Sequence, residues 1–347
     1  MADMQTKLAG ARLYLEGLCR SEKIAGMAVA ITDREKILFA EGFGVESIER
    51  PEVKVTKTSL FRIASITKII TGITVLSLVE EGLLQLDAPV KAVIPWLTLS
   101  DKETEEGVTL RHLLSHTSGL EAEYTPEGYR EESALEESLR EGLPKAKILF
   151  PLGKGYQYSN WGIRLASLMA EQVTGKRFTQ LARERALSPL GMDVTTFDVR
   201  VAATYPLCLA HTEENGIFRV YHRIEENAAR HAAGGLFSNA EELCCLARFL
   251  LNEGLSDSGE RILTRETVAQ MKRQHAKAQG FDGYGLTLLQ DDFHGSRVYG
   301  HHGSAPPYAT SLLIHPESGL GVVTLMNTQR DPLRFSIPKR LLEMLTE

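Results

Sequence analysis

Strand-forming runs stand at both ends of this chain and helix-forming runs fill the middle, so the two ends have to meet in one sheet. Near the N-terminus, Met27-Ala-Val-Ala-Ile31 and Ile37-Leu-Phe-Ala40 flank the polar turn Asp33-Arg-Glu-Lys36, the spacing of a β-hairpin. Near the C-terminus, Tyr308–Ile314 and Leu320–Met326 flank His315-Pro-Glu-Ser-Gly319, rich in turn residues, and Arg297-Val-Tyr299 adds a further short strand. The simplest architecture is one antiparallel sheet built from both termini with a helical region inserted between them. This places residues 1–85 with 285–347 in a discontinuous α/β sheet domain and 86–284 in a mainly helical region.

The helical signals are uneven. Ile66–Glu81 carries apolar residues on nearly every side, as a buried helix does, and Gly82 suits its C-terminal cap. Lys7–Arg20, Leu110–Leu114, Trp161–Thr174, Phe178–Leu187, Ala240–Leu251 and Arg265–Arg273 also read as helices. Asn239 ahead of Glu241 and Glu242 is a suitable N-cap with acids in the first turn.

Composition excludes several classes. Hydrophobic residues make up 43% and charged residues 24% of 347, values of an ordinary globular chain and not of a disordered, collagenous or coiled-coil one. A net charge of −6, with no Lys/Arg-rich run, argues against a nucleic-acid partner, because phosphate contacts need basic surface. The acidic stretch Glu121–Glu141 reads as a solvated helix face and loop. Arg12 and Glu16 interrupt the first apolar stretch, which therefore lacks a secretory core. The most apolar run, Ile69–Val79, falls short of the roughly 20 residues a bilayer span needs, so no membrane partner is expected. Cys19, Cys208, Cys244 and Cys245 form neither a CxxC pair nor a disulfide framework, and the expectation is a cytoplasmic protein with free thiols.

Common catalytic signatures are missing: there is no G-x-S-x-G elbow, no P-loop, no G-x-G-x-x-G and no H-E-x-x-H. His112 and His116 are four apart in RHLLSH, a spacing that can put two imidazoles on one helix face. A zinc site would need a third ligand as well, and structural histidines are the simpler reading.

The positive signal is Ser65-Ile-Thr-Lys68 at the head of the buried helix. A helix N-terminus presents free N–H groups to an oxyanion, and residues three apart share a face, so Lys68 can approach the Ser65 hydroxyl. A lysine among Ile66, Ile69, Ile70 and Ile73 is costly to bury, and burial lowers its pKa until it can accept a proton. A second element is Tyr158-Ser-Asn160, just before the helix that begins near Trp161. A tyrosine beside a lysine can act as a base, and an asparagine amide can hold a carbonyl or orient the lysine, although this triplet alone reads far more readily as a turn and cap. The third is Gly300-His-His-Gly-Ser304, leading into the strand from Tyr308, where glycines let a substrate approach the backbone and an N–H can complete an oxyanion hole.

In this order the three elements resemble the active site of the serine β-lactamase/penicillin-binding-protein superfamily, specifically its class C-like branch. LFRIASITKIITGITVLSLVEEGLLQLDAPVKAVIPWL, VTLRHLLSHTSGL, YSNWGIRLASLMAEQVTGKRF, LSPLGM, AAGGLFSNAEEL and GLGVVTLMN extend the resemblance from about residue 25 to 327. It implies a β-lactamase-like α+β fold, an antiparallel sheet flanked by helices plus a mainly helical region, with the site between them. By resemblance Ser65 is the acylated nucleophile, Lys68 its partner base, Tyr158 the base and proton shuttle, and Asn160 a substrate-orienting amide. The N–H groups of Ser65 and Ser304 match the oxyanion hole. His301-His302-Gly303 stands where lactamases carry K-T-G, and Pro306-Pro307 follows where a glycine is usual. The missing lysine removes a fixed charge for a lactam carboxylate. HLLSHTSGL and Gly234-Gly235 read as packing and turn chemistry, and LSPLGM as a helix ending. The implied activity is hydrolysis of a small carboxylic ester or amide through an acyl-enzyme, with no metal and no organic cofactor. The alternatives are a D-amino-acid peptidase or amidase, a weak β-lactamase, an acyltransferase, and a non-catalytic binding protein. The oligomeric state stays open.

Overall fold

The computed structural model describes residues 3–122, 133–223 and 227–347. In chain order the strands begin with β1 (Gly26–Thr32), β2 (Ile37–Gly44), β3 (Phe61–Arg62), β4 (His211–Glu214), β5 (Ile217–Val220) and β6 (Phe237–Ser238). They continue with β7 (Gly283–Tyr284), β8 (Leu289–Phe293), β9 (Ser296–Ala305), β10 (Tyr308–His315) and β11 (Leu320–Met326). Seven of them form one antiparallel sheet in the order β2-β1-β11-β10-β9-β8-β7. The termini meet where Val29 of β1 stands opposite Thr324 of β11.

Both faces of this sheet are covered, which is why β1, β10 and β11 are buried along their whole length. Alternation sorts their side chains. Met27, Val29, Ile31, Val322 and Met326 face a core shared with Leu15 of the N-terminal helix Met4–Ser21 and with Ile337 and Leu341 of the C-terminal helix Asp331–Thr346. Ala28, Ala30, Leu312, Ile314, Val323 and Leu325 face the main core, against the helix Ala240–Leu251 and the helices beyond it. The helix Thr67–Glu80 runs through that core with residues 67–78 all buried, packing on the helices Asn160–Thr174 and His231–Gly234. Gly82, at φ +75°, ends it as expected. Asn239 caps Ala240–Leu251 by accepting the Glu242 N–H at 2.8 Å.

Several expectations are corrected. Gly300–Ser304 does not merely lead into a strand; it lies inside β9, which runs ten residues from Ser296 to Ala305. Phe178–Leu187 changes character after Ala182, where residues 183–187 wind into a wider π turn. His112 and His116 do not share a helix face, because the helix Leu110–Leu114 stops between them. His112 instead helps cap its own helix, its Nδ1 2.9 Å from Thr109 Oγ1. The C-terminal helix Asp331–Thr346 has no counterpart among the sequence expectations, because Pro338 in its interior hides it from a periodicity argument. Within the acidic stretch, residues 123–132 lie outside the described residues, while Ala134–Gly142 forms a helix with Glu136 paired to Arg140. Among the described residues no helix is long and apolar enough to cross a membrane.

Candidate active site

Ser65 sits in a tight 3₁₀ turn, Ala64–Ile66, that feeds directly into the Thr67–Glu80 helix. The turn is strained: Ala64 has φ +50°, a left-handed conformation that a residue with a Cβ seldom adopts. Its neighbours impose that shape. Ile63 donates its N–H to the Leu236 carbonyl at 2.9 Å and accepts at its own carbonyl from Thr310 Oγ1 on β10, also at 2.9 Å. Gly303 of β9 packs directly beneath, where a Cβ would stand 2.4 Å from Ile63 O and 2.1 Å from Thr310 Oγ1. The glycine of the third motif therefore makes room for the serine turn. Gly234 likewise lies against Ala64 from the other side.

Lys68 follows one turn later and is fully buried. Its Nζ lies 3.1 Å from Ser65 Oγ and donates to the Ala233 carbonyl at 2.6 Å. Among the described residues no carboxylate faces it, and burial brings its pKa down to about 7. Tyr158 reaches Ser65 from the loop ahead of the Asn160–Thr174 helix, with its hydroxyl 2.8 Å from Oγ. Lys68 Nζ lies 4.8 Å from the centre of the phenol ring. Burial raises the Tyr158 pKa well above the ordinary phenol value, and the Ser65 hydrogen bond and the Arg334 charge offset only part of this. The pair thus diverges: the amine is drawn toward neutrality near neutral pH, and the phenol keeps its proton.

The third motif is less exposed to solvent than its sequence suggests. His301 is 2% exposed, with both ring nitrogens engaged inside the protein. Nδ1 is 2.7 Å from the His302 carbonyl, which can only accept, so Nδ1 carries the proton. Nε2 is then the acceptor for the Tyr284 hydroxyl at 3.1 Å. Burial and the nearby Lys68 hold His301 neutral, its pKa well below the usual imidazole value. His302 points to the opposite face of β9, stacked on Phe281 at 5.6 Å, and burial brings its pKa down to about 3. Ser304, one pleat further, is exposed.

Ser65, Asn160 and Ser304 line both of the clefts that meet at the serine. One, of roughly 550 Å³, is walled by Arg62, Tyr221, Arg230, Pro306 and Pro307. The other, of roughly 340 Å³, is walled by Tyr156, Phe281, His302, Arg334 and Phe335. The structure therefore brings Ser65, Lys68, Tyr158, Asn160 and Ser304 together, with His301 and His302 in the wall of the second cleft and Gly303 beneath the serine turn. Arg334, Tyr284 and the Ala233 carbonyl escaped the sequence reading. Arg334 carries no motif, and a carbonyl has no sequence signature at all. Among the described residues no three His, Cys, Asp or Glu side chains gather as a metal site would require.

Comparison with known proteins agrees with this geometry. The chain is 28% identical over 285 residues to penicillin-binding protein 4 of Amycolatopsis lactamdurans, covering 79% of this chain and 74% of that one. It is 25% identical to Protein flp of Staphylococcus aureus over 88% of this chain, and spans 60% of that protein's length. Its fold matches the octameric penicillin-binding protein homologue from Pyrococcus abyssi with a TM-score of 0.83, at 24% identity over 97% of this chain and 77% of that one. It also matches EstCE1, described as a hydrolase with promiscuous acyltransferase activity, with a TM-score of 0.80, at 22% identity over 99% of each chain. The sequence profile of the family named Beta-lactamase matches residues 9–344. With nearly its whole length inside that profile, and with Lys68 and Tyr158 each within hydrogen-bond reach of Ser65, the chain belongs to the β-lactamase family.

Proposed function

We propose that this protein is a serine hydrolase that cleaves small carboxylic esters or amides through an acyl-enzyme on Ser65. One observation carries the reading: Ser65 Oγ receives both Lys68 Nζ and the Tyr158 hydroxyl, at 3.1 and 2.8 Å, at the junction of two open clefts. Family membership, the penicillin-binding protein relative and the likeness to a hydrolase with acyltransferase activity support it.

The sequence suggests Tyr158 as the base, but the electrostatics favour a different division of labour. A phenol whose pKa is raised by burial is a poor acceptor, whereas an amine lowered to about 7 is half neutral at neutral pH. Lys68 accepts the Ser65 proton as Oγ attacks the carbonyl carbon. The electron pair of the C=O bond moves onto oxygen, where the N–H groups of Ser65 and Ser304 stabilise it. Tyr158 returns a proton to the departing alcohol or amine as the C–O or C–N bond breaks, and takes one back from Lys68. Water then releases the acyl group by the reverse path, with Lys68 and Tyr158 titrating as one coupled unit. Asn160 orients the substrate carbonyl from the edge shared by both clefts.

Esters are preferred over lactams in this reading, because the position that carries lysine in lactamases holds a neutral, internally bonded His301. A panel of short aryl esters, D-amino-acid amides and a chromogenic cephalosporin at mildly alkaline pH tests it. The ester should be turned over with the highest kcat/KM. Preference for the cephalosporin, or for the D-amide, would replace ester hydrolysis by the corresponding reaction.

A further inference from the structure

His116 stands behind Tyr158 and outside both clefts, fully buried, in a segment the sequence assigns to packing. Its backbone is held at φ +59°, in the left-handed region. Its carbonyl accepts the Gln157 N–H at 3.0 Å, and its Nδ1 accepts the Ser159 N–H at 3.2 Å. These two bonds grip the chain on either side of Tyr158. The imidazole itself lies against the phenol, with ring centres 4.5 Å apart.

The bonding fixes the tautomer. An Nδ1 that accepts carries no proton, so the neutral ring is protonated on Nε2, which is buried and meets no hydrogen-bond partner among the described residues. Leaving a buried N–H unpaired is unfavourable. A strained backbone and an unpaired N–H at one residue are a combination that a purely packing role would not select. The groups facing the ring are Tyr156, Tyr158 and Tyr284 by contact, with the bases Lys68 and His301 nearby; none of these is a carboxylate. Burial and those two bases hold the ring neutral, so the Nδ1 acceptor persists wherever the enzyme works.

We infer that His116 is a positioning residue for Tyr158, holding the chain on both sides of it through the Gln157 and Ser159 N–H bonds so that the phenol stays on Ser65 Oγ. The inference rests on the proposed role of Tyr158 in acylation. His116→Phe keeps a flat ring and removes the Nδ1 acceptor. His116→Asn removes the ring but offers Oδ1 in place of Nδ1, and asparagine tolerates the left-handed backbone.

Steady-state kinetics on p-nitrophenyl acetate, with each variant in the parent and in a Tyr158→Phe background, test the clamp. His116→Phe should lower kcat by about 10–100-fold with KM within about twofold, since misplacement by an ångström is enough for such a loss. His116→Asn should stay within about threefold of the parent. In the Tyr158→Phe background the His116→Phe loss should shrink below about twofold, because the two act as a unit. An unaffected His116→Phe, an equal loss in both backgrounds, or an Asn variant as slow as Phe overturns the clamp. A Tyr158→Phe enzyme as fast as the parent overturns the role of Tyr158, and the inference with it; a slow Tyr158→Phe beside a fast His116→Phe overturns the inference alone. Should His116→Phe fail to fold, ¹⁵N-histidine NMR of the parent decides, with the His116 signals identified by their loss in His116→Asn. The clamp requires protonated Nε2 and bare Nδ1 unchanged from pH 6 to 9; a proton on Nδ1 overturns it.

Discussion

Replacing Lys68 by methionine should make the protein more stable while destroying its activity, and the gain should depend on pH in a defined way. Lys68 is fully buried, faces no carboxylate among the described residues, and has its pKa brought from the ordinary 10.5 down to about 7 by burial. Between those values the unfolded chain binds a proton that the folded protein rejects, so stability rises with pH across this window. The penalty is complete below about pH 7 and gone above about 10.5. At ~1.4 kcal/mol per pH unit it amounts to about 5 kcal/mol. Methionine keeps the length and removes the charge, but it strands the Ala233 carbonyl, which now accepts from Nζ at 2.6 Å. An unpaired buried acceptor costs about 1–3 kcal/mol. The net expectation is a variant about 2–4 kcal/mol more stable than the parent at pH 6, an advantage that shrinks through pH 8 and 9 and reverses near pH 10. Urea unfolding of both proteins at these four pH values measures it. A Lys68→Met protein less stable than the parent at pH 6 would mean that the ammonium is well accommodated in the folded state. The argument for a neutral base would then fail.

The same pKa predicts an acid limb in catalysis. The rate constant kcat/KM on a short aryl ester should fall about tenfold per pH unit below about pH 7, as Lys68 takes up its proton; a profile flat to pH 5 would remove Lys68 as the base. Gly303→Ala tests the support beneath the serine turn. Its Cβ would meet Ile63 O and Thr310 Oγ1 at 2.4 and 2.1 Å, an overpacking that costs about 1–3 kcal/mol or more. Melting temperature should drop and kcat should fall with it, whereas an unchanged enzyme would show that the turn does not depend on this contact.

Much of the fold is legible because it rests on local patterns with long-range consequences. Two β-hairpins at opposite ends of a chain can share a sheet only if the ends meet, and β1 beside β11 is that meeting. The apolar girth of Thr67–Glu80 announces a helix inside the core, and a lysine within it announces chemistry, because such a residue has no structural reason to be there. The Ser65–Lys68–Tyr158 geometry follows from the same logic, with resemblance supplying the pairing across 93 residues of sequence. What escaped depends on tertiary contact. The isoleucines around Lys68 announce its lowered pKa, but the opposite shift at Tyr158 comes from its burial in the folded protein, which no spacing encodes. His301 reads as part of a glycine-flanked segment that leads into a strand; inside β9, bonded to Tyr284 and to the His302 carbonyl, it is neutral and buried. Helix Asp331–Thr346, which brings Arg334 to the cleft, was hidden by Pro338, since a proline in a helix interior is tolerated only when tertiary packing outweighs it. His116 read as packing because its strain and its two backbone bonds appear only when the loop at Tyr158 is folded against it.

The central claim is that Ser65 forms the acyl-enzyme, and covalent labelling addresses it directly. The intact protein is treated with a fluorophosphonate probe, weighed by mass spectrometry, and digested to locate the adduct, alongside Ser65→Ala. The account predicts one adduct per chain on the peptide containing Ser65. It also predicts none on Ser65→Ala, whose fold and melting temperature stay close to the parent because the substitution removes only a half-exposed hydroxyl. An adduct that maps to Ser115, Ser118 or Ser304, or that survives in Ser65→Ala, would contradict it.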